Sequence, residues 1–278
     1  MKEIEIESNS GTLSASVYES RDPTSVVVIS SATGVKQEYY KKFSQFVSDK
    51  NITVITFDYT GIGRSLKKPI KQLKTTAEDW GKHDLEAVLS YTLTKYPNCK
   101  KTLIGHSIGG QLSGLAKSAM KLDKLVLVAA QSGYWKHWNG VGRFKMWFNW
   151  YILIPCVVKL FGYLNSKKLS GMENLPKNVA NQWKNWSKQP DYLLSDESIN
   201  ETYFDKFHSD ITAFSIEDDM FAPKPAVDWL TNLFTSASTN SIHLKPSDFK
   251  VKKIGHFGVF KSKFKDSIWN LVLEEIKN

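Results

Sequence analysis

The residues with the most chemistry in them are Gly105-His106-Ser107-Ile108-Gly109, a serine flanked by glycines two positions to either side. A strand candidate, Lys101-Thr102-Leu103-Ile104, runs into this stretch, and a helix candidate begins at Gly110-Gln111-Leu112. On a strand-to-helix turn, this spacing puts the serine hydroxyl on a sharp elbow where it can attack a carbonyl carbon. The glycines answer a steric demand. The turn strains the serine backbone, and side chains two residues away would collide with the neighbouring strand and helix. A free serine hydroxyl is a weak nucleophile at neutral pH, so a base must lie beside it.

The base comes from one of the chain's six histidines, His83, His106, His137, His208, His243 and His256. His106 is next to the serine and points elsewhere. His83 and His137 precede the segments from which a base could come, and His208 and His243 lack a loop after a final strand. His256 has that loop, Ile254-Gly255-His256-Phe257-Gly258, after strand-like Ser241-Ile242-His243-Leu244. A carboxylate to orient the imidazole is available after strand-like Ile211-Thr212-Ala213-Phe214, where Asp218 and Asp219 are adjacent. The loop after Leu125–Val128 offers no carboxylate. Charge developing on a carbonyl oxygen needs two N–H donors. One is expected from Ile108, the residue after the serine. The other is expected from Ser30-Ser31-Ala32-Thr33-Gly34, with Ala32 the first choice and Thr33 the second.

The elements around these motifs alternate. Residues 3–7 and 12–18 read as an N-terminal hairpin, and Val26–Ile29, Ile52–Phe57 and Leu125–Val128 read as strands buried on both faces. Tyr39–Val47, Asp79–Leu93 and Leu112–Met120 have helical spacing, and Phe264–Lys277 reads as an amphipathic closing helix. Such alternation implies a mostly parallel, doubly wound sheet. Asp58-Tyr59-Thr60-Gly61-Ile62-Gly63-Arg64-Ser65 lacks the third glycine and the Lys-Ser/Thr pair of phosphate loops. It reads as a structural turn on the side of the N–H donors. The rhythm breaks between Gln131 and about Asn200, a stretch without a buried strand that holds six of the nine tryptophans. We expect a core of residues 1–130 and 201–278, with residues 131–200 inserted as a helical, Trp-rich cap.

Composition narrows the function. A hydrophobic fraction of 41% over 278 residues suits a globular domain. The first residues, Met1-Lys2-Glu3-Ile4-Glu5-Ile6-Glu7, carry no apolar run of the signal-peptide kind, and the two cysteines, Cys99 and Cys156, imply neither a disulfide framework nor a metal cluster. A cytoplasmic setting is expected. The net charge of +9 invites an anionic partner, yet the lysines are spread along the chain and no nucleic-acid-binding motif is present. For the apolar stretch Phe144–Leu164 there are three readings. Cap helices lining an acyl pocket are favoured over docking of the cap on a membrane surface, and that over a true span.

Taken together, the chain resembles the α/β-hydrolase superfamily, whose catalytic residues follow in the order Ser, Asp, His. More narrowly, it resembles a group of largely uncharacterised bacterial α/β hydrolases. That likeness rests on Ala32-Thr33-Gly34-Val35, Asp58–Ser65, Gly105-His106-Ser107-Ile108-Gly109-Gly110 and Gly255-His256-Phe257-Gly258. The resemblance implies an α/β-hydrolase fold with a catalytic triad of Ser107, Asp219 and His256. It favours Asp219 over Asp218 because the frequent family pattern puts the acid four residues before a proline, here Pro223. Many relatives read His-Gly where this chain has Ser30–Gly34. The expected activity is hydrolysis of a small-molecule carboxylic ester with a hydrophobic acyl group, with a thioester or amide open to the same attack. It needs no metal or organic cofactor. Acyl transfer on the same fold and a non-catalytic binding protein are the competing readings. Substrate identity and oligomeric state are not legible in the sequence.

Overall fold

Alternate residues of the run Val26-Val27-Val28-Ile29 pack into two different cores, Val26 and Val28 on one side and Val27 and Ile29 on the other. A strand apolar on both faces must sit inside a sheet covered on both sides. The computed structural model, which describes residues 1–278 apart from the side chain of Leu169, shows that sheet. Its strands are β1 (Lys2–Ser8), β2 (Gly11–Tyr18), β3 (Ser25–Ser30), β4 (Ile52–Phe57), β5 (Lys100–His106), β6 (Lys124–Val128), β7 (Asp210–Ile216) and β8 (Thr239–Leu244). Their spatial order is β1-β2-β4-β3-β5-β6-β7-β8. The β1–β2 and β2–β4 pairs are antiparallel and all the others parallel. Helices Lys41–Ser48 and Ile268–Lys277 bury Phe43, Phe46, Trp269 and Val272 against one face. Trp80, Leu85 and Val88 cover the other. This is an α/β-hydrolase fold.

The chain goes from β3 to β4 on one side and returns to place β5 on the other side of β3. The carboxyl ends of β3 and β5 therefore diverge at the switch point, where open α/β sheets form their clefts. Parallel pairing carries Ser25 opposite Lys100 and Ser30 opposite Gly105, so the two strands end level with each other. The Ser30–Gly34 loop and the Ser107 turn emerge side by side.

The segment after Ser107 departs from the continuous helix expected over Leu112–Met120. A short helix, Ile108–Gln111, tightens into a 3-10 turn, Leu112–Leu115. The backbone extends at Ala116, and a second 3-10 turn covers Lys117–Lys121. Competing partners explain the break. In a continuing helix the Gly114 carbonyl would accept from the Ser118 N–H. Instead it accepts from Tyr203 N at 2.7 Å, and Ser118 N donates to Glu86 Oε2 at 2.7 Å. Gly114 also lies against the Phe204 ring, leaving no room for a side chain.

The Asp58–Ser65 turn is held by two buried carboxylates. Asp58 accepts from Gln37 N at 2.8 Å and Arg64 N at 3.0 Å, which ties the turn to the segment that follows Gly34. Asp84 accepts from Ser8 Oγ at 2.7 Å and from Thr60 N at 2.8 Å. Burial pushes the Asp84 carboxyl up to about 6, against the pull of these donors. A raised folded-state value means that the unfolded chain ionises first as pH rises. Stability is therefore lost between roughly pH 4 and pH 6, by about 3 kcal/mol in all. Asp84→Asn keeps an acceptor for Thr60 N and turns the Ser8 and Thr60 hydroxyls into acceptors. Urea unfolding is expected to show the variant gaining about 2 kcal/mol on the wild type between pH 4.5 and pH 7, about 1 kcal/mol of the wild type's loss having already occurred by pH 4.5. A difference independent of pH would mean that Asp84 is already ionised in the fold.

Candidate active site

Ser107 follows β5 with φ 55° and ψ −120°, a left-handed conformation that a side chain resists. The flanking glycines make it feasible. A Cβ at Gly105 would meet the backbone of Gly110, and one at Gly109 would strike the Ser30 carbonyl of β3. The turn therefore packs directly on the neighbouring strand, as its spacing predicts. The Ser107 hydroxyl opens into a cavity of about 290 Å³ that His256, Thr33, Ala32, Phe221 and Phe257 also line. Among the described residues Ser107 Oγ makes no hydrogen bond, and His256 lines the same cavity.

Both aspartates after β7 serve the histidine loop, in different ways. Asp219 Oδ1 accepts from Phe221 N at 2.8 Å and Ala222 N at 3.0 Å, and Oδ2 pairs with His256 Nδ1 at 2.7 Å. Its side chain is 0% exposed. Asp218 turns to the backbone instead, accepting from Gly255 N at 3.0 Å and Ile254 N at 3.2 Å. The structure thus brings Asp219, not Asp218, to the ring. The loop between Ile254 and Phe257 turns through Gly255 at φ +65°, which favours glycine.

One expected donor is placed differently. The Ala32 N–H donates to Tyr40 Oη at 3.0 Å, pointing into the protein and leaving nothing for a ligand. Thr33, the second choice, lines the cavity, and its amide has no partner among the described residues. The sequence misled here because the strand-end loop carries no His-Gly landmark, and a slip of one residue reverses where an amide points. Ile108 N, in the first turn of its helix, is likewise without an intrahelical partner.

Sequence reasoning set His106 aside, and the structure gives it a supporting position. It is fully buried. Tyr40 Oη accepts from Ala32 N, so its own proton goes to His106 Nδ1, 2.8 Å away. His106 Nε2–H then donates to the His256 carbonyl at 3.0 Å. Only the neutral ring can accept at one nitrogen and donate at the other. Burial, reinforced by the neighbouring His256, holds His106 well below the usual histidine range and keeps it neutral. A continuous chain of hydrogen bonds therefore links the loop after β3 to the backbone of His256. Gln131 and Trp138 hold the acid loop from the other side, through the carbonyls of Phe221 at 3.2 Å and Met220 at 2.8 Å. A histidine inside the elbow itself was the one signal available in the sequence, and its partners lie far along the chain.

The cavity walls come largely from the segment between β6 and β7. Trp138, Met146, Trp150, Leu153, Ile154 and Trp183 are among the apolar lining residues. Trp138 precedes a helix, Gly140–Phe161, that carries the next four, and Trp183 sits on Lys177–Trp186 packed against it, with Trp150 and Trp183 edge to face at 4.8 Å. Gln131, Asn149, Ser166, Ser170 and Glu173 are polar residues of this half.

Residues 21–203 match the family model described as serine aminopeptidase S33. The match includes Ser107 and ends before Asp219 and His256. No curated protein matches the chain. Among solved structures, it is similar to a soluble variant of monoglyceride lipase from Saccharomyces cerevisiae bound to a substrate analogue. The TM-score is 0.71 at 11% identity, covering 99% of this chain and 94% of that one. An esterase from Exiguobacterium antarcticum gives 0.61 at 14% identity, covering 100% of both chains. An α/β serine hydrolase without a lid, from Xanthomonas campestris, gives 0.55 at 13% identity, covering 99% and 93%. At these identities the likeness is one of fold.

Proposed function

The chain belongs to the serine aminopeptidase S33 family of α/β hydrolases, and from that premise we propose that it cleaves a carboxylic ester through an acyl-enzyme on Ser107. The observation that carries the reading is Asp219, one oxygen pinned by two amides and the other on His256 Nδ1 at 2.7 Å. That contact fixes the proton on Nδ1 and leaves Nε2 free to accept from serine. Ser107 Oγ attacks the ester carbonyl while Nε2 takes its proton. The tetrahedral oxyanion is held by the amides of Ile108 and Thr33. The imidazolium then protonates the departing alcohol, and water, activated by the same nitrogen, releases the acid. Each preorganised donor of this kind supplies about 10²–10³ in turnover. The solved esterase and monoglyceride lipase structures of the same fold agree with an ester substrate.

The tryptophan-rich wall supports a hydrophobic acyl group, because ligand pockets are lined mainly by the groups that their ligands match. Burying one methylene contributes about 0.8 kcal/mol. With p-nitrophenyl esters from acetate to laurate, kcat/KM is expected to rise about fourfold per added methylene until the cavity fills, then to fall. A fluorophosphonate is expected to label Ser107 stoichiometrically, with labelling lost in His256→Ala. A well-folded protein that resists the reagent would overturn the reading, and a flat chain-length profile would overturn the apolar acyl site.

A further inference from the structure

The helix Gly140–Phe161 is apolar on both sides, and only one side has a partner. Its inner side walls the cavity and buries Trp150, Ile154 and Val158. Its outer side carries Phe144, Phe148, Ile152, Cys156 and Leu160, one exposed residue every four positions, which is a single ridge along a helix. Phe144 is 64% exposed, Leu160 77%, and Val141, at the helix start, 70%. Phe144, Trp147 and Tyr151 stack in series beside that ridge, at centroid distances of 5.9 and 5.7 Å. A helix apolar all round is otherwise found inside a protein or a membrane.

The charges around it select a partner. The lysines are spread over the chain, but the acids are not. From Gln131 to Met172 there are six Lys or Arg residues and no Asp or Glu. Arg143, Lys145 and Lys159 flank the exposed ridge on the helix itself. Among the described residues none of these three, nor Lys136, pairs with a carboxylate. Arg143 donates only to the carbonyls of Trp138 and Lys136 and to the side-chain oxygen of Asn139. A second copy of the chain would bring these cations against their own counterparts. A surface both apolar and anionic satisfies ridge and cations together.

We propose that this face seats the protein on an anionic lipid surface, the helix lying in the plane of the interface. At 22 residues it is long enough to cross a hydrocarbon core of about 30 Å. Crossing would strip Trp150 and Ile154 from the cavity wall, so the helix lies flat with its ridge in the acyl boundary and its cations at the headgroups. The apolar rim continues onto the acid loop. Met220 is 68% exposed, and its carbonyl accepts from Trp138, just before the helix. Phe221 is 48% exposed and also lines the cavity. Docking would present the cavity to lipid, consistent with a hydrophobic acyl substrate, although binding does not depend on chemistry at Ser107.

The test is flotation of the full chain with vesicles of phosphatidylcholine alone, and of phosphatidylcholine and phosphatidylglycerol in equal parts. Binding to the anionic vesicles is expected at low salt, weaker by at least about tenfold at high salt, where surface charges are screened. Ser107→Ala should bind as the wild type does. F144S/F148S/L160S changes only exposed side chains, so its melting temperature should hold while its partition falls at least about tenfold. Lys145→Gln with Lys159→Gln should cost about fivefold per charge on anionic vesicles. No flotation on either vesicle, or flotation indifferent to the triple variant, overturns the proposal. So does a dimer in sedimentation that the triple variant dissolves without any vesicle binding, because the face would then be covered by a second copy.

Discussion

Ser107→Ala is expected to lower turnover by about 10⁶-fold while leaving thermal stability unchanged. The size of the loss follows from the proposed role, because without the hydroxyl there is no acyl-enzyme. What remains is the residual help of the oxyanion amides and of binding. The neutrality in stability follows from local structure. Ala retains the Cβ, so the strain at φ 55° and ψ −120° is the same in both proteins. The Oγ makes no hydrogen bond among the described residues, so none is lost. Ser107→Gly separates the two effects. It removes the same nucleophile, and it also relieves a left-handed conformation that costs a non-glycine residue about 1 kcal/mol or more. The glycine variant should be as inactive as the alanine variant and melt at a higher temperature than both alanine and wild type. Measured with an active p-nitrophenyl ester, Ser107→Ala activity within tenfold of wild type would sink the acyl-enzyme mechanism. A glycine variant no more stable than alanine would mean that the elbow stores no strain.

Why Ser107 was so legible, and Ala32 so misleading, comes down to the range of the forces that place them. The elbow is specified within five residues. Gly105 answers to Gly110 within the turn itself, and Gly109 to Ser30 on the paired strand, a contact that any such elbow at the end of a central parallel strand makes. The β-branched runs at Val26–Ile29 and Ile52–Phe57 declare two-sided burial for the same reason, each residue carrying its own apolar demand. The amide of Ala32 depends instead on Tyr40 and, through it, on His106, whose ring answers to the backbone of His256. Nothing local encodes that chain of contacts. The interrupted helix after Leu112 is a second case, since Tyr203 and Glu86, distant in sequence, take up the groups that would have continued it. Long-range hydrogen bonds decide where short-range propensities are weak. Asp218 shows the same limit. In sequence it is a spare carboxylate beside Asp219, and in space it is the acceptor that fixes the backbone of the histidine loop.

That division between the two aspartates sets up the second large effect. Asp219→Asn is expected to reduce kcat by about 10⁴-fold with little change in fold. Oδ1 of Asp219 accepts from two backbone amides, at 2.8 and 3.0 Å. An asparagine must keep its carbonyl oxygen there, because an amide nitrogen facing two N–H groups would leave all of them unsatisfied. Its NH₂ is then forced toward His256 Nδ1, where the carboxylate now sits at 2.7 Å. Nδ1 becomes an acceptor, the proton moves to Nε2, and the nitrogen that should receive the serine proton already holds one. The defect is one of tautomer rather than position. Asp219→Ala should therefore be less damaging than a rule of lost contacts suggests, since it frees the ring to take either tautomer. Asp218→Asn, by contrast, keeps an oxygen to accept from Gly255 and Ile254 and never touches the imidazole. It should cost about 1 kcal/mol of stability and less than about tenfold in kcat. The comparison of the two asparagine variants under one assay, with nitrogen chemical shifts of His256 as the tautomer readout, decides the assignment. A larger loss at Asp218 than at Asp219, or a wild-type tautomer in Asp219→Asn, would remove Asp219 from the proposed triad.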